Sequence, residues 1–296
     1  MKVLLFVAAL TASITSAAEL QEVASFPNQQ ITGVGVSLKS GRIFVNFPNW
    51  SDDHTISVAE IVNGAPKAFP NEEWNKPGDP ASHFVCVQSV VVDTRAGKAF
   101  ITESAKGAII VVDLKTGKAR RLLDGHPSTQ PEREVKLVVD GKTLIDQQTK
   151  SPPQIAADGI ALDAGGGYLY YHALTGHTLY RINTRDLTNE KLSERDLESK
   201  VENVGDTPAP DGMLEGKDGG VYLTDIEGGA VVHWDPLTKN IEPVIADQHL
   251  LWPDTLSWGP KGELYVTASQ IENMPRFNNG VSAQTEPYQL WKITRL

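Results

Sequence analysis

Five stretches of this chain repeat one pattern, and that repetition limits the fold more than any single motif does. The copies read TGVGVSLKSGRIFVNF from Thr32, QSVVVDTRAGKAFITE from Gln88 and DGIALDAGGGYLYYHA from Asp158. Two more follow, DGMLEGKDGGVYLTD from Asp211 and DTLSWGPKGELYVTA from Asp254. Each alternates apolar and polar positions, turns at a glycine and enters a second strand, which is the pattern of half-buried antiparallel hairpins. Aligned on their turns, the copies place an aromatic at Phe44, Phe100, Tyr170, Tyr222 and Tyr265. Two residues on stands a polar side chain: Asn46, Thr102, His172, Thr224 or Thr267. A strand repeats every two residues, so both columns lie on one face. A repeated aromatic on an inner hairpin wedges neighbouring units together. The pattern predicts an all-β chain folded as a β-propeller of four-stranded blades.

Segments with strand character follow most copies: Ile56 to Ile61, Ala108 to Leu114 with Lys118 to Leu123, and Ala230 to Trp234 with Ile241 to Ile245. The last copy is followed only by Tyr288 to Leu296, so Leu20 to Phe26 is expected to supply its outer strand and close the ring. Three segments interrupt the repeat. Pro66 to Pro80 reads as a long loop, and Asn183 to Asp206 as a polar stretch holding a short helix. Asp124 to Gln154 contains Val135 to Ile145, which reads as one hairpin turning at Asp140-Gly141. Long loops on a rigid ring are where binding determinants gather.

The ends and the composition narrow the setting. Lys2, the apolar run Val3 to Leu10 and Ser16-Ala17-Ala18 read as a signal peptide over residues 1–18, leaving 19–296 as a single secreted domain. That run is too short to cross a bilayer, and no other stretch is apolar and long enough. The only cysteine, Cys86, lies in an apolar run and reads as a buried small side chain, so the core carries the stability without disulfides. The formal charge of −10 and the lack of a basic patch argue against a nucleic-acid partner. Asn49-Trp50-Ser51 is a glycosylation sequon.

The candidate site follows from the heads of the five copies: Thr32, Gln88, Asp158, Asp211 and Asp254. Innermost strands line a propeller's axis, so these positions converge there. Carboxylates held together repel unless a positive charge lies between them. A hard cation such as Ca²⁺ takes several oxygen ligands and resolves that repulsion. Asp158, Asp211 and Asp254 are therefore the expected metal ligands, with Gln88 and Thr32 adding ligand contacts. The competing reading treats Asp158-Gly159 and Asp211-Gly212 as turn dipeptides bonded to local backbone. His172, in the polar column, either faces a ligand in the tunnel or is held structurally by hydrogen bonds. Glu103, Asp225 and Glu227 lie at strand ends, and Trp252 and Trp258 read as packing. No Gly-x-Ser-x-Gly elbow, His-Glu-x-x-His helix or phosphate-cradling loop occurs.

Several runs resemble the major royal jelly/Yellow protein family. They are RIFVNFP from Arg42, SVAEI from Ser57 and NEEWN from Asn71, then DGIAL from Asp158 with LYY from Leu169 and LTG from Leu174. Near the C-terminus stand WPDT from Trp252, LYVTA from Leu264 and NMPRF from Asn273. The resemblance implies a secreted six-bladed propeller, some of whose members are tied to dopachrome conversion. At the level of the blade the chain is also similar to the wider gluconolactonase/SMP-30 group, whose divalent-metal ligands are a Glu, an Asn and an Asp. Asp158 matches the Asn position and Asp211 the Asp, while Thr32 stands in place of the Glu. Only five inner-strand copies are recognisable instead of six, and Val135 to Gln147 is a candidate to cover the gap. The combined expectation is a small-molecule site at the tunnel mouth. There Asp211 and Asp158 would serve dopachrome-tautomerase-like isomerisation or metal-dependent lactone hydrolysis; the alternative is a non-enzymatic ligand-binding or structural protein.

Overall fold

The computed structural model describes residues 17–48, 50, 54–69, 71–72, 75 and 89–296. The alternation in the repeats becomes five four-stranded antiparallel sheets among these residues. The chain starts with β1 (Glu19–Phe26) and then forms blade I from β2 (Gly33–Val36), β3 (Ile43–Asn46), β4 (Val58–Val62) and β5 (Ala65–Ala68). Blade II is β6 (Val90–Asp93), β7 (Lys98–Glu103), β8 (Ala108–Asp113) and β9 (Ala119–Leu122). A separate hairpin, β10 (Val138–Val139) with β11 (Lys142–Thr143), precedes blade III. Blade III is β12 (Ala157–Leu162), β13 (Tyr168–Ala173), β14 (Thr178–Asn183) and β15 (Glu202–Asp206). Blade IV is β16 (Met213–Glu215), β17 (Val221–Asp225), β18 (Ala230–Trp234) and β19 (Ile241–Ala246). Blade V takes β20 (Pro253–Trp258), β21 (Leu264–Ala268) and β22 (Tyr288–Thr294), and β1 completes it by pairing with β22 from Glu19↔Thr294 to Phe26↔Tyr288. The expected closure of the ring by the N-terminal segment is present.

The aromatic column acts as a row of wedges. Phe100 packs in a cluster with Ile160 and Leu169 of blade III, and Tyr170 packs with Trp234 of blade IV, ring centroids 5.7 Å apart. Tyr222 meets Trp258 of blade V edge-on at 5.1 Å, and Tyr265 joins Val34 and Val45 of blade I. Each wedge buries apolar surface at about 25 cal/mol per Å², so the core is a chain of interblade layers instead of one central mass. Phe44 differs: it packs within its own blade against Phe69, beneath the Arg42 guanidinium. Residues 76–88, which separate blades I and II in the sequence, lie outside the described residues.

Three expectations change. Pro66 to Ala68, read as loop, belongs to the edge strand β5, where a missing N–H faces outward at little cost. The polar stretch after Asn183 holds two short helices, α1 (Thr184–Thr188) and α2 (Glu194–Glu198), and also the outermost strand β15. Val135 to Gln147 does not substitute for a blade. Its hairpin lies across the ring, with Leu137, Val139 and Leu144 buried against Leu174, Ala209, Ile226 and Trp252 from blades III to V.

Candidate functional site

The site begins with the heads of the inner strands. In β12 and β20 the pairing slips by one residue, between Ala157 and Ile160 and between Pro253 and Leu256. Asp158-Gly159 and Asp254-Thr255 are thus bulge residues, and a bulge re-aims its side chain relative to the flat strand. Asp158-Gly159 thus lies in a strand bulge and not in a reverse turn. The glycines serve a different need. A Cβ on Gly212 would stand 2.0 Å from the Asp254 carbonyl oxygen, and one on Gly159 would stand 2.8 Å from Met213 Sδ and 3.2 Å from the Asp211 carbonyl oxygen. Glycine follows aspartate because the head of the next blade presses against it.

The polar column holds these heads in place. Thr224 Oγ1 accepts from the backbone N–H groups of Asp211 and Gly212, both at 3.1 Å. Thr267 Oγ1 accepts from Thr255 N at 3.0 Å and donates to the Thr32 carbonyl of the next blade at 2.6 Å. Thr102 Oγ1 donates to the Asp158 carbonyl across the blade II–III junction. A hydroxyl both donates and accepts, so one side chain satisfies a bulge N–H and a neighbour's C=O together.

Asp158, Asp211 and Asp254 are buried, with 2%, 9% and 7% of their surface exposed, and they share an electrostatic environment. Burial pushes the Asp158 carboxyl well up, and Asp211 raises it further. Burial also pushes Asp254 well up, with Asp211 and then Asp158 adding to the effect against an opposing bond from Thr255. Asp211 is pushed up to about 6 by burial, restrained by the Trp252 indole N–H that donates to its Oδ2 at 2.6 Å. Asp158 Oδ1 is buried without a partner, while Asp254 Oδ1 accepts from the Thr255 hydroxyl at 2.8 Å. Asp211 is therefore the carboxylate of the trio that ionises most readily, and its neighbours retain their protons to higher pH.

The other expected ligands fare differently. Thr32 is half-buried, and its Oγ1 accepts from Asn46 Nδ2 at 2.8 Å. His172 is fully buried with both ring nitrogens engaged, Nδ1 on the Ala173 carbonyl at 2.6 Å and Nε2 on Thr207 Oγ1 at 3.0 Å. Burial holds that imidazole neutral, lowering it to about 4, so the structural alternative describes His172 and no nitrogen is left for a ligand. Gln88, Cys86, residues 1–16 of the expected signal peptide, and Asn49 and Ser51 of the sequon lie outside the described residues. Among the described residues no group of three or more His, Cys, Asp or Glu side chains is disposed to hold a metal ion. The three aspartates lie close enough to perturb one another but do not form one ligand set.

Sequence reasoning missed two parts of the site. Trp252, read as packing, holds Asp211 from a backbone at φ 50°, a rare conformation for a bulky side chain. Hydrogen bonds from Ser269 N and Ser269 Oγ to the Trp252 carbonyl, both 3.1 Å, pin it there. Beside it opens a cavity of about 540 Å³ whose lining includes Val139, Asp140, Glu227, Asp247, Trp252 and Glu272. Glu272, only 7% exposed, has an Oε2 with no partner, and burial pushes its carboxyl up to about 7, with Asp140 adding to the rise. Nothing in the local sequence around Glu272 marks it; only the three-dimensional approach of the hairpin does.

No curated protein sequence matches the chain. Solved structures with a similar course include a streptogramin B lyase, 13% identical over 96% of this chain and 99% of that one, TM-score 0.47. A calcium-binding protein, regucalcin from Agrobacterium tumefaciens, is 14% identical over 92% and 94%, TM-score 0.47. A gluconolactonase from Xanthomonas campestris is 11% identical over 93% and 89%, TM-score 0.47. Likenesses this distant carry no chemistry across. The sequence profile is more specific: that of the major royal jelly proteins matches residues 74–291, which takes in blades II to IV, the three aspartates and most of blade V. By that match, this five-sheet ring belongs to the major royal jelly protein family.

Proposed function

We propose that this protein takes a small carbonyl compound at the axial end of its ring and moves a proton on it, in the manner of a tautomerase or a lactonase. The observation that carries the reading is the trio Asp158, Asp211 and Asp254, buried together with Asp158 Oδ1 unpartnered. Unpaired buried carboxyls are costly, and a fold retains them where they have work to do. Asp211 is the base: its carboxylate takes a proton from carbon beside a carbonyl, or from a water attacking a lactone. A neutral carboxyl of Asp158 or Asp254 donates to the carbonyl oxygen as negative charge develops there. Paired acids of opposite protonation state perform both halves of such a transfer.

Oxygen donors suit Ca²⁺ in kind, but Trp252 and Thr255 already donate to two of the oxygens, and the carboxylates do not form one ligand set. No step here runs through a cation. A calorimetric Ca²⁺ titration of chelator-stripped protein tests this separately: saturable binding lost in Asp211→Asn would restore the cation expected from the sequence. Export is part of the proposal, supported by the small residues Ser16-Ala17-Ala18 standing immediately before the first strand at Glu19.

The experiment is turnover of a dopachrome-type quinone and a panel of lactones by the parent and Asp211→Asn. Loss of one acid–base group costs about 10² to 10⁴ in rate. Turnover in the parent reduced by that factor in the variant supports the reading. No turnover of any substrate, or turnover indifferent to Asp211, returns the protein to the class of non-catalytic binders.

A further inference from the structure

We propose that the hairpin Val135 to Ile145 is a hinged flap over Trp252 and the cavity beside it, swinging between fixed points at Glu132 and Asp146, and that the charge on Glu272 governs it. The fixed points are firm. Glu132 N donates to the Thr175 carbonyl at 2.8 Å, and its Oε1 accepts from His177 N and Thr178 N at 3.1 and 2.9 Å. Asp146 is buried and takes two bonds from the Arg276 guanidinium, at 2.9 and 2.6 Å, while Gln147 N donates to the Arg276 carbonyl at 2.8 Å. Among the described residues one polar bond between these points ties the hairpin to the ring, from Val138 N to Glu227 Oε1 at 2.8 Å. The remaining hold is apolar, from Leu137, Val139 and Leu144.

The hairpin tip contributes Val139 and Asp140 to the lining of the cavity of about 540 Å³, which Trp252 and Glu272 also line. A segment supported by a void and few polar bonds is drawn from the low-stability end of a fold. The charges around Glu272 are few. From the tip comes Asp140, which disfavours a second negative charge there. Glu227, on the blade IV turn, is engaged by His177 at 2.8 Å, and Asp247, on the crossover to blade V, by His249 at 2.6 Å. On the loop of Glu272 itself, Arg276 is committed to Asp146. No free cation among these described groups offsets Glu272, so its ionisation favours any state that carries Asp140 away and admits water.

Burial first, and Asp140 second, push the Glu272 carboxyl up to about 7 from its ordinary 4.5. A closed state with the raised value and an open state with the ordinary one are linked through the proton. Between about pH 5.5 and about pH 8.5 the opening equilibrium then rises about 30-fold. The flap is closed in acid and opens as pH passes neutrality. That the opening admits a ligand rests on the reading above; the opening itself does not.

Hydrogen exchange of the full chain tests it without any ligand. Protection of residues 135–147, corrected for intrinsic exchange, is expected to fall about 30-fold over that pH range, while β13 holds its protection. Glu272→Gln is expected to flatten the dependence. Asp140→Asn, at an exposed tip position with φ 49° that Asn tolerates, removes a charge that helps to raise Glu272, so the midpoint is expected to move to lower pH and the change across the range to shrink. Unchanged flap protection overturns the proposal, as does the same fall in Glu272→Gln or a parallel fall in β13. Should Glu272→Gln not fold, an unmoved midpoint in Asp140→Asn overturns it alone.

Discussion

Replacing Thr267 by valine removes one hydroxyl and leaves two backbone groups without partners. In the parent that oxygen accepts from Thr255 N at 3.0 Å and donates to the Thr32 carbonyl at 2.6 Å, and Thr267 is fully buried. Each orphaned group costs about 1–3 kcal/mol, so Thr267→Val is expected to lose about 2–6 kcal/mol in sum. For a domain of this size that lowers Tm by roughly 3–10 °C. Thr267→Ser keeps both bonds and gives up one methyl, at about 1 kcal/mol. The assay is urea unfolding of parent, Val and Ser variants, with m compared so that a change in midpoint reads as stability. A Val variant within about 0.5 kcal/mol of the parent, or one no worse than Ser, would refute the role given to the polar column.

Other outcomes follow from the same contacts. Gly212→Ala forces a Cβ to within 2.0 Å of the Asp254 carbonyl, so blades IV and V must part, and thermal unfolding should show a loss of about 2–4 kcal/mol. Trp252→Phe keeps a ring but removes the donor to Asp211 Oδ2; about 1–3 kcal/mol should be lost at neutral pH, and less in acid where Asp211 holds a proton. Stability should also fall as pH rises. Asp211 and Glu272 both have folded values raised above their ordinary ones, to about 6 and about 7, so the folded state binds their protons more tightly than the unfolded chain does. Their stabilisation is complete in acid and is lost as pH climbs through those values, which Tm measured against pH will show; Glu272→Gln should remove the upper part of the decline.

Much of the ring was legible because its signal is periodic. The aromatic column predicted the wedges at Phe100, Tyr170, Tyr222 and Tyr265, and the unpartnered last hairpin predicted closure by β1. What escaped notice lacked a period. Pro66 disguised the edge strand β5, and the charges around α1 and α2 disguised β15. The convergence of the three aspartates was readable from register, since equivalent strand heads meet on an axis. Their chemistry was not, because it depends on which oxygens already have donors: Trp252 on Asp211, Thr255 on Asp254, none on Asp158 Oδ1. Glycine after aspartate has two explanations in sequence, a turn or a close neighbour, and only the 2.0 Å approach at Gly212 chooses between them. Glu272 owes its importance to a hairpin that folds over it from more than a hundred residues away.

The decisive measurement is infrared titration of the carboxyl stretch in the parent, Asp158→Asn and Asp254→Asn. If the three aspartates share one buried and uncompensated site, protonated carboxyl bands persist at neutral pH in the parent and each variant loses part of them. If every carboxyl is ionised by neutral pH, the trio is not the paired acid and base described here, and the function built on it falls.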